Sequence, residues 1–514
     1  MKYIVLVVVP LYLFIPGCQP KDADEGNYKY STASWQGTHV YSDRFELAIL
    51  KSRRLITEAN RLSGLPGAQV AVAVDGKICW SENFGFSDLQ QGSPVTANTI
   101  FRTASVSKLF TACAVAKLIQ EGKLNLDTPV IRYLPELPAH YANITIRHLV
   151  SHQSGIRHYF GADLPAKEEH YADVNDALQL FVQAPLLFPP GKDCEYSSYG
   201  WVLISAVIQR VSGKPFLRYM QSEVWDAMEL KNTFAEIPEA RLKDLTRFYK
   251  KTSPQGSWKK AEYQDLSFNW GAAGFSSNAN DLAVFGNALL NGKFLNKETV
   301  KLMFAPQLTG KGDTTGFGIG FTLYQSTNQQ KIIGHGGFMP TARSYLFLFP
   351  GSNLVIAFTS NSAMTNFSDE NLVAIAENFI NENADETYFR FNPELNHFWT
   401  GLWRVEIEND DGQQEEAFFH FYEDKNELKG TYLSANAEPK QVEITELNDD
   451  SISFLAMLPS HTASVKLRIH DGVVSGKSFF DKPLTYPFKK QLLYNDDFKN
   501  MLRPKSIRNG KKLN

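Results

Sequence analysis

The sequence is poor in cysteine, carries almost no excess of either charge and contains no long apolar run. It has four cysteines in 514 residues and a formal net charge of −3 at pH 7. The spacing of the cysteines is not typical of metal ligands, so we expect no metal site, and a near-neutral chain gives no reason to expect nucleic acid as a partner. A hydrophobic fraction of 43% with a charged fraction of 21% is typical of a globular and not of a disordered chain, and the length allows about two to four globular domains.

Three of the cysteines lie beyond the N-terminal region. Cys79 and Cys113 lie in apolar runs, which favours buried free thiols. A disulfide that includes Cys194 or joins these two is an alternative in an oxidising compartment, and the sequence does not select a pair.

Residues 1–18 have the pattern of an export signal. Lys2 gives a basic start, and residues 4–15 form an apolar run that is too short to cross a bilayer. The run leads to Pro16-Gly17-Cys18 and resembles a bacterial lipobox, in which the cysteine is lipidated. We therefore predict a lipoprotein signal peptide over residues 1–18, a lipid on Cys18 and a flexible polar tether over residues 19–41.

The expected location is the bacterial cell envelope, with the chain held to a membrane by the lipid and facing the periplasm or the cell surface. Pro16 is an unusual residue at its place in the lipobox. Cleavage by an ordinary signal peptidase, which gives a periplasmic or secreted protein, and retention as a plain hydrophobic anchor therefore stay open.

Hydrophobic periodicity predicts an α+β domain over residues 42–388. Helical spacing of apolar residues covers 43–63, and a hairpin with Asp75-Gly76 at its turn follows at 69–81. Helical and loop signals then continue to about residue 210. Strand patterns return in four later segments, 317–324, 331–334, 344–349 and 353–359. A last helix is expected at 370–381. We expect an antiparallel sheet built from both ends of the domain, flanked by helices and interrupted by an all-helical insert.

Beyond residue 391 the pattern changes to short strands separated by Asp, Gly and Asn turns. Such intervals are typical of small sandwiches and barrels. The sequence therefore predicts a separate all-β, barrel-like domain over residues 391–514, and this segment contains no set of residues that suggests catalysis.

Ser105 and Lys108 form the first candidate catalytic pair. The apolar segment from Leu109 to Ile119 predicts a mostly buried helix that begins close to Ser105, and residues three apart share a helix face. A lysine held in apolar surroundings can act as the base that a serine nucleophile needs. Ser257 and Lys260 have the same spacing, but they lie in a polar stretch that no apolar helix follows.

Two later motifs provide the other groups that a serine hydrolase needs. Tyr196 lies between a Pro-Pro-Gly loop and an apolar helix, and we expect the nearby lysine ammonium to favour its phenolate for proton transfer. Tyr141, in Tyr141-Ala142-Asn143, is a weaker alternative because a helix follows it directly. The backbone N–H groups of Ser105 and Phe338 are candidates for an oxyanion hole, and His335 would face the substrate. Taken alone, Tyr196 and His335 would be read as ordinary loop residues.

In this order and context, Ser105-Val-Ser-Lys108, Tyr196-Ser-Ser198 and His335-Gly336-Gly337 resemble the three motifs of the serine β-lactamase and penicillin-binding protein superfamily. The surrounding sequence is similar to the branch of class C β-lactamases, DD-peptidases and related esterases, over about residues 43–385. The resemblance implies a β-lactamase-like fold, an acyl-enzyme on Ser105, and a substrate site that includes Ser198, His335, Gly336 and Gly337.

Two departures from the family pattern bear on the substrate. The usual asparagine of the second motif is Ser198 here, and the usual lysine of the third motif is His335, which is mostly neutral at pH 7. No glutamate can be assigned as a dedicated deacylating base. The sequence thus predicts a cofactor-independent serine hydrolase for small-molecule or peptide substrates, with esters or amides ahead of β-lactams. The alternatives are a D-amino-acid-directed peptidase or weak class C-like β-lactamase, and a catalytically idle ligand-binding or sensor lipoprotein.

Overall fold

The computed structural model describes residues 35–159, 164–167, 169–236, 244–251, 257–326, 330–363 and 367–381, together with eight strands between residues 401 and 490. Cys18 and the predicted signal peptide lie outside these residues. Within them, no helix is both long and apolar enough to cross a membrane.

Up to residue 381, the described residues form thirteen strands and nine α-helices. The strands are β1 Trp35–Tyr41, β2 Gly67–Val74, β3 Lys77–Asp88, β4 Ser93–Pro94, β5 Phe101–Arg102, β6 Phe234–Ala235, β7 Tyr249–Lys250, β8 Lys259–Lys260, β9 Phe275–Ser277, β10 Thr322–Gln325, β11 Lys331–Met339, β12 Ala342–Phe349 and β13 Leu354–Ser360. The helices are α1 Glu46–Ser63, α2 Ser107–Gln120, α3 Ile146–Val150, α4 Ser198–Ser212, α5 Phe216–Tyr219, α6 Trp270–Ala273, α7 Ala279–Leu290, α8 Lys297–Met303 and α9 Asp369–Ile380.

The main sheet is antiparallel and joins the two ends of this region in the order β1-β3-β2-β13-β12-β11-β10, with β4 added beside β3. Because side chains alternate along a strand, each central strand contributes to two cores. Leu346 and Leu348 of β12 belong to the core shared with the helical insert and α7. Tyr345 and Phe347, their neighbours, belong to the core shared with α1 and α9.

The predicted α+β fold with its helical insert is confirmed, and so is the hairpin with its turn at Asp75-Gly76. Two segments differ from the prediction. Residues 35–41, assigned to the tether, form edge strand β1 on β3, and their mixed polar composition hides this pairing in the sequence. Residues 317–321 are not a strand, and Gly318 and Gly320 let this loop approach Met303, Ala112 and Trp201 closely.

The last eight strands form a closed antiparallel barrel in chain order: β14 Gly401–Glu408, β15 Gln414–Asp424, β16 Glu427–Ser434, β17 Lys440–Leu447, β18 Ser451–Met457, β19 Thr462–His470, β20 Val473–Phe480 and β21 Lys482–Lys490. Phe454 packs with Phe419 and Phe421 at ring distances of 4.7 and 5.2 Å. The next residue on β18, Leu455, belongs instead to the core around α1 and α9. The predicted barrel-like region is therefore present, and its outer face contacts the α+β region through Leu455. The boundaries of the domains at residues 388 and 391 lie outside the described residues and stay predictions.

Candidate active site

Ser105 lies where a short strand turns into a buried helix. After β5, the chain makes a 3-10 turn at Ala104–Val106 and continues into α2. Ala104 has φ +45°, a left-handed conformation that is uncommon for a residue with a side chain. Two hydrogen bonds fix Thr103. Its hydroxyl donates to the backbone oxygen of Phe275 at 2.8 Å, and its backbone oxygen accepts from Ser344 Oγ at 2.5 Å. These contacts hold the nucleophile candidate against the sheet.

Lys108 is buried beside Ser105. Its Nζ lies 3.2 Å from Ser105 Oγ, 3.0 Å from Ser198 Oγ and 2.9 Å from the backbone oxygen of Ala272. Among the described residues no carboxylate pairs with it, and its side chain is fully buried. Burial holds the pKa of Lys108 well below its usual range, so the neutral amine needed of a base is favoured.

Tyr196 reaches Ser105 from the other motif. Its hydroxyl donates to Ser105 Oγ at 2.9 Å, and Lys108 Nζ lies 4.9 Å from the centre of its ring. Burial raises the pKa of Tyr196, although the hydrogen bond to Ser105 acts in the opposite direction. The expectation that the lysine would favour a phenolate is therefore wrong, because burial dominates and disfavours the charged form of both groups.

The third motif lies inside a strand and not in a turn between strands. β11 extends to Met339, while its pairing with β10 ends at Gly334. Gly337 touches the nucleophile turn, since a Cβ built on it would come within 2.4 Å of the Thr103 oxygen and 3.2 Å of Ala104 Cβ. The strand therefore runs directly beside the turn that carries Ser105, and Phe338, whose N–H was a candidate oxyanion donor, is the next residue.

His335 lies close to Tyr196, with 5.9 Å between their ring centres. Its Nδ1 is 2.5 Å from the oxygen of Gly336, an acceptor, so Nδ1 carries the proton. Burial and then the charge of Lys108 lower the pKa of His335 to about 3. The imidazole is thus neutral at pH 7, and its Nε2, which has no partner among the described residues, can only accept a hydrogen bond.

The structure also places the remaining candidate residues. Ser198 is buried, and its hydroxyl accepts from Lys108, so its contact with substrate stays a prediction. Ser257 and Lys260 are exposed on and beside β8, and Tyr141 is buried in the main core. Cys79, Cys113 and Cys194 are free thiols. Within the described ranges, no group of three or more His, Cys, Asp or Glu side chains is placed to hold a metal ion.

Sequence reasoning missed the residues that surround these groups. The backbone oxygen of Ala272 accepts from Lys108, and no side chain reveals such a role in a sequence. His152 and His158 each accept a backbone N–H from the Tyr196 motif, at Ser197 and Ser198. A signal was available, because the two histidines flank a Gly-containing loop that has no helical or strand periodicity, yet nothing in the sequence places that loop against residue 196.

The fold and the three converging motifs agree with the sequence comparison. The chain belongs to the beta-lactamase family, whose sequence model matches residues 53–377. All of Ser105, Lys108, Tyr196 and His335 fall within the matched region.

Among individual relatives, the human serine beta-lactamase-like protein LACTB, mitochondrial, is 30% identical over 345 residues, which are 51% of this chain and 63% of that protein. Esterase EstB of Burkholderia gladioli is 33% identical over 173 residues, which are 31% of this chain and 44% of the esterase. The chain thus spans less than two thirds of the length of these relatives.

The octameric penicillin-binding protein homologue from Pyrococcus abyssi superposes on this chain with a TM-score of 0.57 at 19% identity. The superposition covers 86% of this chain and 100% of that one. At this identity the likeness concerns the fold.

Proposed function

We propose that the protein is a serine hydrolase that forms an acyl-enzyme on Ser105 with an ester or amide substrate. One observation carries this proposal: Ser105 Oγ lies 3.2 Å from a buried lysine amine and 2.9 Å from a tyrosine hydroxyl. The first group can take the serine proton and the second can give a proton to a leaving group, which are the two transfers that acyl transfer requires.

In the proposed first step, neutral Lys108 removes the proton of Ser105 while Oγ bonds to the carbonyl carbon. The bond to the leaving group then breaks, and Tyr196 gives its hydroxyl proton to the departing oxygen or nitrogen. The lysine ammonium returns a proton to the phenolate. In the second step Tyr196 and Lys108 activate a water molecule, which releases the acid and restores Ser105.

The carbonyl oxygen gains negative charge in both steps and needs fixed donors. We assign this role to the backbone N–H groups of Ser105 and Phe338. The close contact of Gly337 with Thr103 and Ala104 supports the assignment, because it brings β11 and the nucleophile turn together.

The substrate preference follows from His335. A lysine at this position would offer a fixed charge to a carboxylate, whereas the neutral imidazole offers a hydrogen-bond acceptor. This favours neutral esters and amides over β-lactams. A peptide substrate is the second candidate, because β11 continues past β10 from His335 to Met339 and leaves an edge on which an extended chain can pair. Ser198, Gly336 and Gly337 are proposed to line the same site.

For location, we propose attachment to a membrane of a bacterial cell envelope through a lipid on Cys18. The support is the apolar run of residues 4–15 followed by Gly17 and Cys18. Mass spectrometry of the N-terminal peptide from the native host checks this, and a mature chain that begins at another residue without lipid would contradict it.

A probe panel on the wild-type chain and its Ser105→Ala variant tests the activity. We expect p-nitrophenyl ester hydrolysis and fluorophosphonate labelling that Ser105→Ala abolishes, with an acyl adduct found on the Ser105 peptide. Labelling by a fluorescent penicillin, or cleavage of D-amino-acid peptides in preference to esters, would instead support the peptidase or weak β-lactamase. If no probe forms an adduct on Ser105, the hydrolase proposal fails and the idle ligand-binding alternative gains support.

A further inference from the structure

One residue, His152, holds the backbone on both sides of Tyr196. The N–H of Glu195 donates to the backbone oxygen of His152 at 2.9 Å, and the N–H of Ser197 donates to His152 Nδ1 at 3.1 Å. Tyr196 lies between these two bonds. The N–H groups of the two residues that flank the tyrosine are therefore bonded to the same residue.

The imidazole of His152 also packs on the phenol ring. The two ring centres are 4.4 Å apart with an angle of 31° between the planes, and Phe317 meets the imidazole edge-on at 4.6 Å. His152 is only 1% exposed, so its ring has no room to swing towards solvent. This contact restricts the position of the ring whose hydroxyl lies 2.9 Å from Ser105 Oγ.

His152 makes these contacts from a left-handed backbone conformation, with φ +61°. That conformation costs a residue with a side chain of the order of 1 kcal/mol relative to ordinary conformations. From it, the residue presents both its backbone oxygen and its Nδ1 to the turn at 195–197. A strained backbone beside a candidate catalytic group, with contacts to both of its neighbours, indicates more than packing.

The hydrogen bond also defines the state of the imidazole. Nδ1 accepts from the Ser197 N–H and so carries no proton, which leaves the proton of the neutral ring on Nε2. Burial, followed by the charge of Lys108, holds the pKa of His152 well below its usual range. A protonated ring would lose the bond to Ser197, so the neutral form and the clamped turn belong together.

We propose that His152 is a positioning residue for the reaction, which keeps the Tyr196 hydroxyl on Ser105 by clamping the peptide groups at residues 195 and 197. It need not contact substrate. The inference rests on the proposed role of Tyr196 as proton donor to the leaving group, and it adds a residue that acts through the tyrosine.

The test compares His152→Asn with His152→Gly, alone and combined with Tyr196→Phe. Both replacements tolerate the left-handed backbone, but only asparagine has an oxygen close to the place of Nδ1. For ester hydrolysis we expect His152→Asn to keep kcat within about fivefold, and His152→Gly to lose about 10- to 100-fold in kcat with little change in KM.

The combination with Tyr196→Phe separates positioning from general damage. We expect His152→Gly to cost less than about threefold more once the tyrosine hydroxyl is gone, because the residue then has nothing to position. Equal losses in both backgrounds, or equal losses for Asn and Gly, would overturn the proposal. If Tyr196→Phe itself retains wild-type activity, it is the role of Tyr196 in the proposed function that fails. Should His152→Gly not fold, His152→Gln, whose oxygen lies one bond too far out, takes its place in the same comparison.

Discussion

The contact between Gly337 and the nucleophile turn gives a prediction whose size can be worked from the structure. A Cβ at Gly337 would lie 2.3 Å from Ser344 Oγ and 2.4 Å from the Thr103 oxygen, whereas ordinary contact begins at 3.4 Å. One of these obstacles is backbone and cannot rotate away. The Gly337→Ala variant must therefore move β11 and the turn at Thr103 and Ala104 apart by about 1 Å.

A displacement of this size separates the strand from the nucleophile. Misplacement of reacting groups by about 1 Å costs of the order of 100-fold in rate, while overpacking costs about 1–3 kcal/mol in stability. We therefore expect Gly337→Ala to lose about 100-fold in kcat/KM for an ester substrate while the protein still folds.

Gly351 offers a control glycine in the turn between β12 and β13, at the end of β12 remote from Ser344. A Cβ there would have only Gln330 Oε1 within reach, at 4.0 Å, and neither glycine has a positive φ that would strain an alanine. We expect Gly351→Ala to stay within about threefold of wild type. The assay is ester hydrolysis with thermal unfolding as the check on folding. Equal activity of the two variants, with both folded, would refute the reasoning.

Three further predictions concern Lys108, Leu455 and His335. Lys108→Met, which places no charge in the buried position, should lower kcat for ester hydrolysis by about 10²- to 10⁴-fold, and a smaller loss would remove Lys108 from the role of base. Leu455→Ala should lower the free energy of unfolding by about 2–5 kcal/mol without changing kcat/KM, because Leu455 contacts the core around α9, on the face of the sheet opposite the helical insert. Urea unfolding and ester hydrolysis measure the two quantities. A loss of activity in a folded variant would contradict this prediction. His335 has a pKa of about 3 when folded against 6.5 as its ordinary value, so its contribution to stability is complete above pH 6.5 and is lost as the pH falls towards 3. Urea unfolding at pH 7 and pH 5 should show the decline, about 1.4 kcal/mol per pH unit for this group, and His335→Asn should reduce the slope.

Local periodicity was enough to predict most elements of the fold. The apolar segment after Ser105 forms α2, and the alternation around Asp75-Gly76 forms the β2–β3 hairpin. Local periodicity failed where a contact with residues remote in sequence determines the conformation. Gly320, for example, has φ +75°, and Trp201 and Ala112 leave no room there for a side chain; both neighbours are remote in sequence.

The sequence predicted which residues form the candidate site better than it predicted their protonation states. The motifs supplied Ser105, Lys108 and Tyr196, whose side chains the structure brings together. The protonation states depend on burial, which no spacing reveals: the lysine is fully buried, which lowers its pKa, and burial raises the pKa of Tyr196 where a lowered pKa was expected. The contacts of His152 with the turn at 195–197 were not predicted either, since they depend on which loop packs against residue 196.

The order of strands in the main sheet also sets a direction for the molecule. β1, where the described chain begins, lies at one edge, and β11 is five strands away in the order β1-β3-β2-β13-β12-β11. With strands about 4.8 Å apart, the two are separated by about 24 Å across the sheet. If the proposed lipid on Cys18 is present, the described part of the chain is thus joined to the membrane from the edge of the sheet remote from Ser105.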